Sequence, residues 1–172
     1  MVSESILELL ARATALSMHE LRAIERAATA QTLAVGDVVL RDGEASAALY
    51  LIADGEVAIG IGDGAGTELG RCGAGAVLGE VSLFDGGAAT ATVTATRATQ
   101  LLRLDRAQLD ALYGDDPHAA AALMRMLTSA LAARIRASND RLEKLDVPAA
   151  GAARQRQPLL GVLRSLFIGG PS

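Results

Sequence analysis

Residues 77–95 read VLGEVSLFDGGAATATVTA. A glutamate follows directly on a glycine, a short apolar stretch comes next, and Ala, Thr and Val then alternate as they would in a strand. A segment of this build suits the holding of a small polar ligand. Yet between Glu80 and Arg97 it carries no positive charge.

Upstream, from Gln31, short apolar or alternating runs are broken at Gly36, Asp42-Gly43, Asp54-Gly55 and Asp63-Gly64. Strands punctuated this closely by turn formers predict an antiparallel sandwich or barrel. ATATVTATRATQLLRLD supplies the last long strands, giving about eight over residues 31–104. Helices flank this region. Residues 4–13 place Ile6, Leu7, Leu9 and Leu10 in a short helix, and Ser17 with Glu20 forms a capping box that opens a second one through about Ala28. Asp105 caps a further helix, and Pro117 starts a long one that runs to about Leu145. Residues 146–158 are a small-residue linker and 159–172 an apolar tail.

On the long helix Leu127, Leu131, Ile135, Ser138, Leu142 and Leu145 step by four, four, three, four and three. Such a stripe suits a two-helix coiled coil, so a parallel homodimer with Leu127, Leu131, Ile135, Leu142 and Leu145 in its seam is expected. The alternative is that the stripe packs on its own β-region.

Composition excludes several functions. The only Phe, Tyr or Trp side chains are Tyr50, Phe84, Tyr113 and Phe167, so no aromatic platform for unpaired bases is expected. Cys72 is the sole cysteine, which removes intramolecular disulfides, iron–sulfur sites and Cys-rich zinc sites and fits a reduced cytoplasmic setting. It reads as a small buried hydrophobe. No metal or cofactor is implied. Cys72, His19 and His118 lie far apart without a supporting motif, so no enzyme is expected, and His19 reads as a surface residue. Gly62, Gly64 and Gly66 sit among strand-like residues rather than opening a helix, which is not a dinucleotide fingerprint. The start is acidic and periodic, unlike a signal peptide, and no run approaches the ~20 apolar residues of a membrane span.

The net charge of −4 conceals an asymmetry: residues 125–164 carry eight basic and three acidic side chains, +5, which leaves −9 elsewhere. For the helical part a solvated face is the reading adopted. In the tail, Arg154, Arg156 and Arg164 accompany Leu159, Leu160, Val162, Leu163, Leu166, Phe167 and Ile168. Residues 154–168 could fold back on their own domain, the reading preferred, or dock on a protein partner or an anionic membrane.

The order of these features resembles the cyclic nucleotide-binding domain, the fold of catabolite activator proteins and of the regulatory subunits of cyclic-AMP-dependent kinases. VGDVVLRDGEASAALYLIADGEVAI resembles its opening strands, and GAGAVLGEVSLFDGGAATATVTA its phosphate-binding cassette. The likeness covers roughly residues 16–145. It implies an α+β chain: a jelly-roll-like β-roll with helices before it and a long dimerisation helix after it. It also implies the site. Gly79, Glu80, Val81 and Ser82 would open the cassette, with backbone N–H groups facing a cyclic phosphate and Glu80 accepting from a ribose hydroxyl. Thr90 and Ala91 would help hold the phosphate. Ser138 and Asn139, on the long helix, would lie near the purine.

The family's phosphate-pairing arginine, nine residues after the glutamate, falls on Ala89. Loss of one partner from a buried charge-assisted pair costs ~3–5 kcal/mol, which would weaken a micromolar site by ~100- to 3,000-fold. Cyclic AMP or cyclic GMP is thus a ligand of low expected affinity, unless Arg71 or Arg97 substitutes. Glu80 could instead serve structure, accepting backbone N–H bonds in its turn. Two functions compete: a sensor or regulatory module, and a dimeric interaction scaffold that keeps the fold without sensing. After Leu145 no helix-turn-helix fits, so no DNA-binding domain is expected in this chain.

Overall fold

A computed structural model of the chain describes residues 2–61 and 67–145, with side chains through 140. The chain divides into two units, 1–135 and 136–172. The Asp63-Gly64 turn, the glycines at 62–66, the linker 146–158, the tail 159–172 and the side chains of Leu142 and Leu145 lie outside the described residues.

The first unit opens with helices α1 (Glu4–Ala13) and α2 (Met18–Ala27). The capping box forms as its residues demand: the Glu20 amide donates to the Ser17 hydroxyl, and the Ser17 amide donates to the Glu20 carboxylate at 2.7 Å. Eight strands follow: β1 (Thr29–Leu33), β2 (Val38–Leu40), β3 (Ala48–Asp54), β4 (Glu56–Ile61), β5 (Thr67–Gly73), β6 (Val77–Leu78), β7 (Thr92–Ala95) and β8 (Thr99–Asp105). The short helix α3 (Glu80–Asp85) interrupts them. Helices α4 (Arg106–Asp115) and α5 (Pro117–Leu145) complete the chain's described part. The β-region starts two residues before the expected boundary because Thr29 already pairs with Arg103.

The strands form two antiparallel four-stranded sheets, β1-β8-β3-β6 and β2-β7-β4-β5. Alternation decides the layers. On β3, Leu49, Leu51 and Ala53 face one way, into a core shared with Leu7, Leu10, Leu21, Ile24, Leu109, Leu112 and Leu123 of the helices. Tyr50 and Ile52 face the other way, into a smaller core with Leu40, Val57, Leu78, Ala89 and Val93 of the roll. The first sheet is thus sandwiched between helices and the second sheet, and each fully buried Leu or Ile there stabilises the fold by roughly 1.5–3 kcal/mol.

Two glycines are dictated by geometry. Gly55, at the β3–β4 turn, has φ +97°, and a Cβ there would meet Thr99 Oγ1 at 2.4 Å and the Ala98 carbonyl at 2.5 Å. Only glycine lets that turn close over the buried Thr99, whose hydroxyl donates to the Arg97 carbonyl at 2.8 Å. Gly79 is the second.

One expectation is corrected on α5. Leu127 is 2% exposed and belongs to the helix-side core of its own unit, with Leu123, so it is not free to enter a dimer seam. The packing alternative holds at that position. Leu131 is half-buried, while Ile135 is 61% exposed. Among the described residues no helix is long and apolar enough to cross a membrane.

Candidate functional site

The site is built where β6 runs into α3. Val77 and Leu78 pair with Leu51 and Tyr50 of β3, which fixes the strand's end against the roll. Gly79 then turns the chain at φ +79°. A Cβ on it would lie 2.3 Å from the Ala48 carbonyl oxygen, a contact with backbone that no rotamer can relieve. The turn delivers Glu80 as the first residue of α3, and Gly86, at φ +71°, ends the helix with its amide donating to the Ser82 carbonyl at 3.1 Å.

Glu80 is 4% exposed, and a carboxylate at that depth requires a counter-charge. It comes from α5. Arg134 Nη1 donates to Glu80 Oε1, and Arg134 Nη2 donates to the Val77 carbonyl at 2.6 Å. One guanidinium therefore clamps both the end of β6 and the start of α3. Glu80's other oxygen, Oε2, accepts no hydrogen bond from the described residues. A carboxylate oxygen with open valence beside a guanidinium is suited to accepting from a ligand hydroxyl.

This corrects the structural role considered for Glu80. The carboxylate is held by an arginine side chain rather than by amides of its own turn. Arg134 was missed as a site residue because it read only as one of the basic residues of a solvated helix. A signal was present: Arg134 follows Leu127 by seven residues and precedes Ser138 by four, so it lies on the same stripe.

Ala89 is 5% exposed and packs in the roll's core with Leu40, Ile52, Val57, Leu78 and Val93. Its backbone is equally engaged: the Ala89 amide donates to the Glu44 carbonyl and the Gly43 amide donates to the Ala89 carbonyl, both at 2.8 Å. The Asp42 amide donates to Thr92 Oγ1 at 3.1 Å. The return of the cassette is thus stitched to residues 42–44, and its shape does not depend on a charged side chain at 89.

The two arginines weighed as substitutes are engaged elsewhere. Arg71 donates to Glu68 at 2.9 and 3.2 Å and to Glu56 at 3.3 Å, on the exposed face of β5. Its neighbour Cys72 faces the roll's core, so alternation turns Arg71 away from it. Arg97 is exposed at the β7–β8 turn and also acts on Glu56. The Cys72 thiol is half-buried, and burial pushes its pKa up, with the nearby Arg134 opposing and Glu80 reinforcing the shift.

Of the other expected site residues, Ser82 is buried while Val81 and Thr90 are exposed, and Ala91 is half-buried. Ser138 and Asn139 are exposed on the part of α5 that belongs to the second unit. His19 is a surface residue, 3.7 Å from Asp116.

Residues 30–116 match the family model described as the cyclic nucleotide-binding domain. The chain is 34% identical over 118 residues to a CRP-like cAMP-activated global transcriptional regulator of Mycobacterium tuberculosis, covering 66% of this chain and 51% of the regulator. It is 41% identical over 83 residues to a protein of Rhodopseudomonas palustris named as a potassium channel, covering 48% of this chain and 20% of that protein. The chain thus spans about half or less of these curated relatives. Among solved structures, a cyclic nucleotide-binding domain from Methylobacillus flagellatus superimposes with a TM-score of 0.70 at 28% identity, over 86% of both chains. The Thermus thermophilus catabolite activator protein superimposes with a TM-score of 0.63 at 30% identity, over 76% of this chain and 60% of that one. The roll, the glycine-turned cassette and the family match agree: the chain belongs to the cyclic nucleotide-binding domain family.

Proposed function

We propose that the chain is a regulatory module whose cassette meets cyclic nucleotides with weak affinity and reports occupancy through α5. The observation that carries this reading is the clamp of Arg134 on Glu80 and Val77. A ligand hydroxyl accepted by Glu80 would compete for, or complete, the coordination of the same carboxylate that anchors α5. Binding at the cassette and the hold on the helix then share one ion pair, which is what a sensor requires. Weakness follows from Ala89: its surroundings are apolar, and Arg71 is committed to Glu56 and Glu68. Transfer of cyclic AMP as ligand rests on the relative named as cAMP-activated.

Isothermal titration with cyclic AMP and cyclic GMP tests this. The expected dissociation constants are about 0.1–3 mM, the micromolar range weakened by the absent pairing. Low-micromolar binding by the unaltered chain would overturn the claim of weakness.

The dimeric scaffold is the second reading, and the exposed Ile135 on the α5 stripe favours it. In this form the seam comprises Leu131, Ile135, Leu142 and Leu145, and residues 154–168 supply a docking segment. Helices before Thr29, a roll over 29–105 and helices over 106–145 are the proposed divisions.

A further inference from the structure

Ser82 lies two residues after Glu80, hence ~200° around α3, and lines a different opening. This cavity, of about 310 Å³, lies between α3, the β2–β3 connection and the start of α4. Its polar lining is Ser82, Ser46 and Arg106, and Leu83, Ala45 and Ala47 make it apolar elsewhere.

Three features mark it as a binding site. Ser82 is 3% exposed, yet its hydroxyl makes no hydrogen bond with the described residues, and no side-chain polar atom is sealed without a partner. The hydroxyl's remaining access is therefore to the cavity, where a ligand would satisfy it. Arg106 brings a guanidinium whose nearest carboxylate, Asp110, stands 3.9 Å from Nε, beyond hydrogen-bond distance, with both side chains exposed. The volume falls at the lower end of small-molecule pockets, and the depression is open to solvent on the Arg106 side, so it suits a ligand of a few atoms.

The chemistry narrows the ligand. A planar guanidinium matches a carboxylate with two parallel bonds. The backbone adds no further donors at the glycines, because the Gly86 amide is bonded to the Ser82 carbonyl and the Gly87 amide to Asp85 Oδ1. With one cation, and Asp85 and Asp110 close by, a second negative charge on the ligand is disfavoured. We infer that this cavity binds a small monocarboxylate, its carboxylate on Arg106 and the hydroxyls of Ser46 and Ser82, its apolar part against Ala45, Ala47 and Leu83. Bound there, it ties α3 to α4 and so steadies the helix that presents Glu80. The site is separate from the Glu80–Arg134 pair, and the inference stands whether or not a nucleotide binds at Glu80.

Amide chemical shifts of the ¹⁵N-labelled full chain, titrated with isovalerate, test the inference. Saturable shifts at Ala45, Ser46, Ser82 and Arg106 are expected, weakened ~10-fold or more in Arg106→Gln and unchanged in Arg97→Gln. Ser46→Leu, which fills the opening from a half-buried loop position, should abolish them while the remaining spectrum stays native. Inorganic phosphate should bind more weakly than isovalerate. Non-saturating shifts, full retention in Arg106→Gln, equal loss in Arg97→Gln, or phosphate binding as tightly as isovalerate would each overturn it.

Discussion

Replacing Arg134 with Met keeps most of the side chain's apolar length and removes its charge. Glu80, 4% exposed, is then left as a buried carboxylate with no cation, and the Val77 carbonyl loses a 2.6 Å hydrogen bond. Removing one partner of a fully buried pair costs ~3–5 kcal/mol. The Arg134 side chain is 44% exposed, so water screens the pair, and about half that cost, ~1.5–3 kcal/mol, is the expected loss. Replacing Glu80 with Met as well removes the stranded charge, so the double variant should recover part of the stability. The coupling energy of the four-member cycle should be ~1–2 kcal/mol. Urea denaturation followed by far-ultraviolet circular dichroism measures it. With a slope of ~1–3 kcal/mol per molar, Arg134→Met should lower the midpoint by about 1 M. A single variant within ~0.5 kcal/mol of the parent, or a coupling near zero, would show that the contact does not hold α5 to the cassette.

Gly79→Ala should cost ~2–4 kcal/mol by thermal or urea unfolding, because φ +79° and the Ala48 carbonyl 2.3 Å away both oppose a Cβ; a loss under ~1 kcal/mol would refute that geometry. The Ser17 amide, and then the Ser17 hydroxyl, His118 and Arg125, hold the Glu20 carboxyl below its ordinary pKa of 4.5 against the opposing effect of burial. A lowered folded pKa gives stability that is present above about pH 4.5 and lost as pH falls through the folded value, so the advantage of the parent over Glu20→Gln should shrink on acidification from about pH 7 to about pH 3. Parallel pH profiles of the two proteins would contradict this. For the proposed seam, Ile135→Asp with Leu142→Asp should convert a dimer to a monomer in sedimentation with the β-roll intact, and a parent already monomeric at tens of micromolar would remove the seam.

The fold was legible because its signals are local. Asp-Gly pairs at 42–43 and 54–55 mark turns, Ser17/Glu20 and Asp105 mark helix starts, and Pro117 marks the last helix, each a short-range constraint that the structure repeats. Gly79-Glu80 was legible for the same reason. What escaped is long-range. Arg134 lies 54 residues from Glu80, and nothing in the cassette's own sequence says that its carboxylate is clamped from α5. Leu127 was read from heptad spacing alone, which cannot distinguish a stripe facing a second helix from one facing its own core. Leu127's place in the core that also holds Leu7, Leu10, Leu21 and Leu51 decides in favour of the core there. The resemblance assigned Ser82 a role for its backbone N–H, and said nothing of its side chain, which lines a separate opening.

The central claim is that the cassette keeps its geometry and lacks only the charge at position 89. Titrating cyclic AMP into Ala89→Arg and into the parent under identical conditions tests it most directly. Since the Ala89 backbone is bonded to Gly43 and Glu44 independently of its side chain, the turn should survive the substitution, with stability lost both to crowding and to placing a guanidinium against the roll's apolar core in the absence of ligand. The account predicts that the folded variant binds ~100-fold or more tightly than the parent, reaching the micromolar range. A folded Ala89→Arg protein that binds cyclic AMP no better than the parent would contradict it.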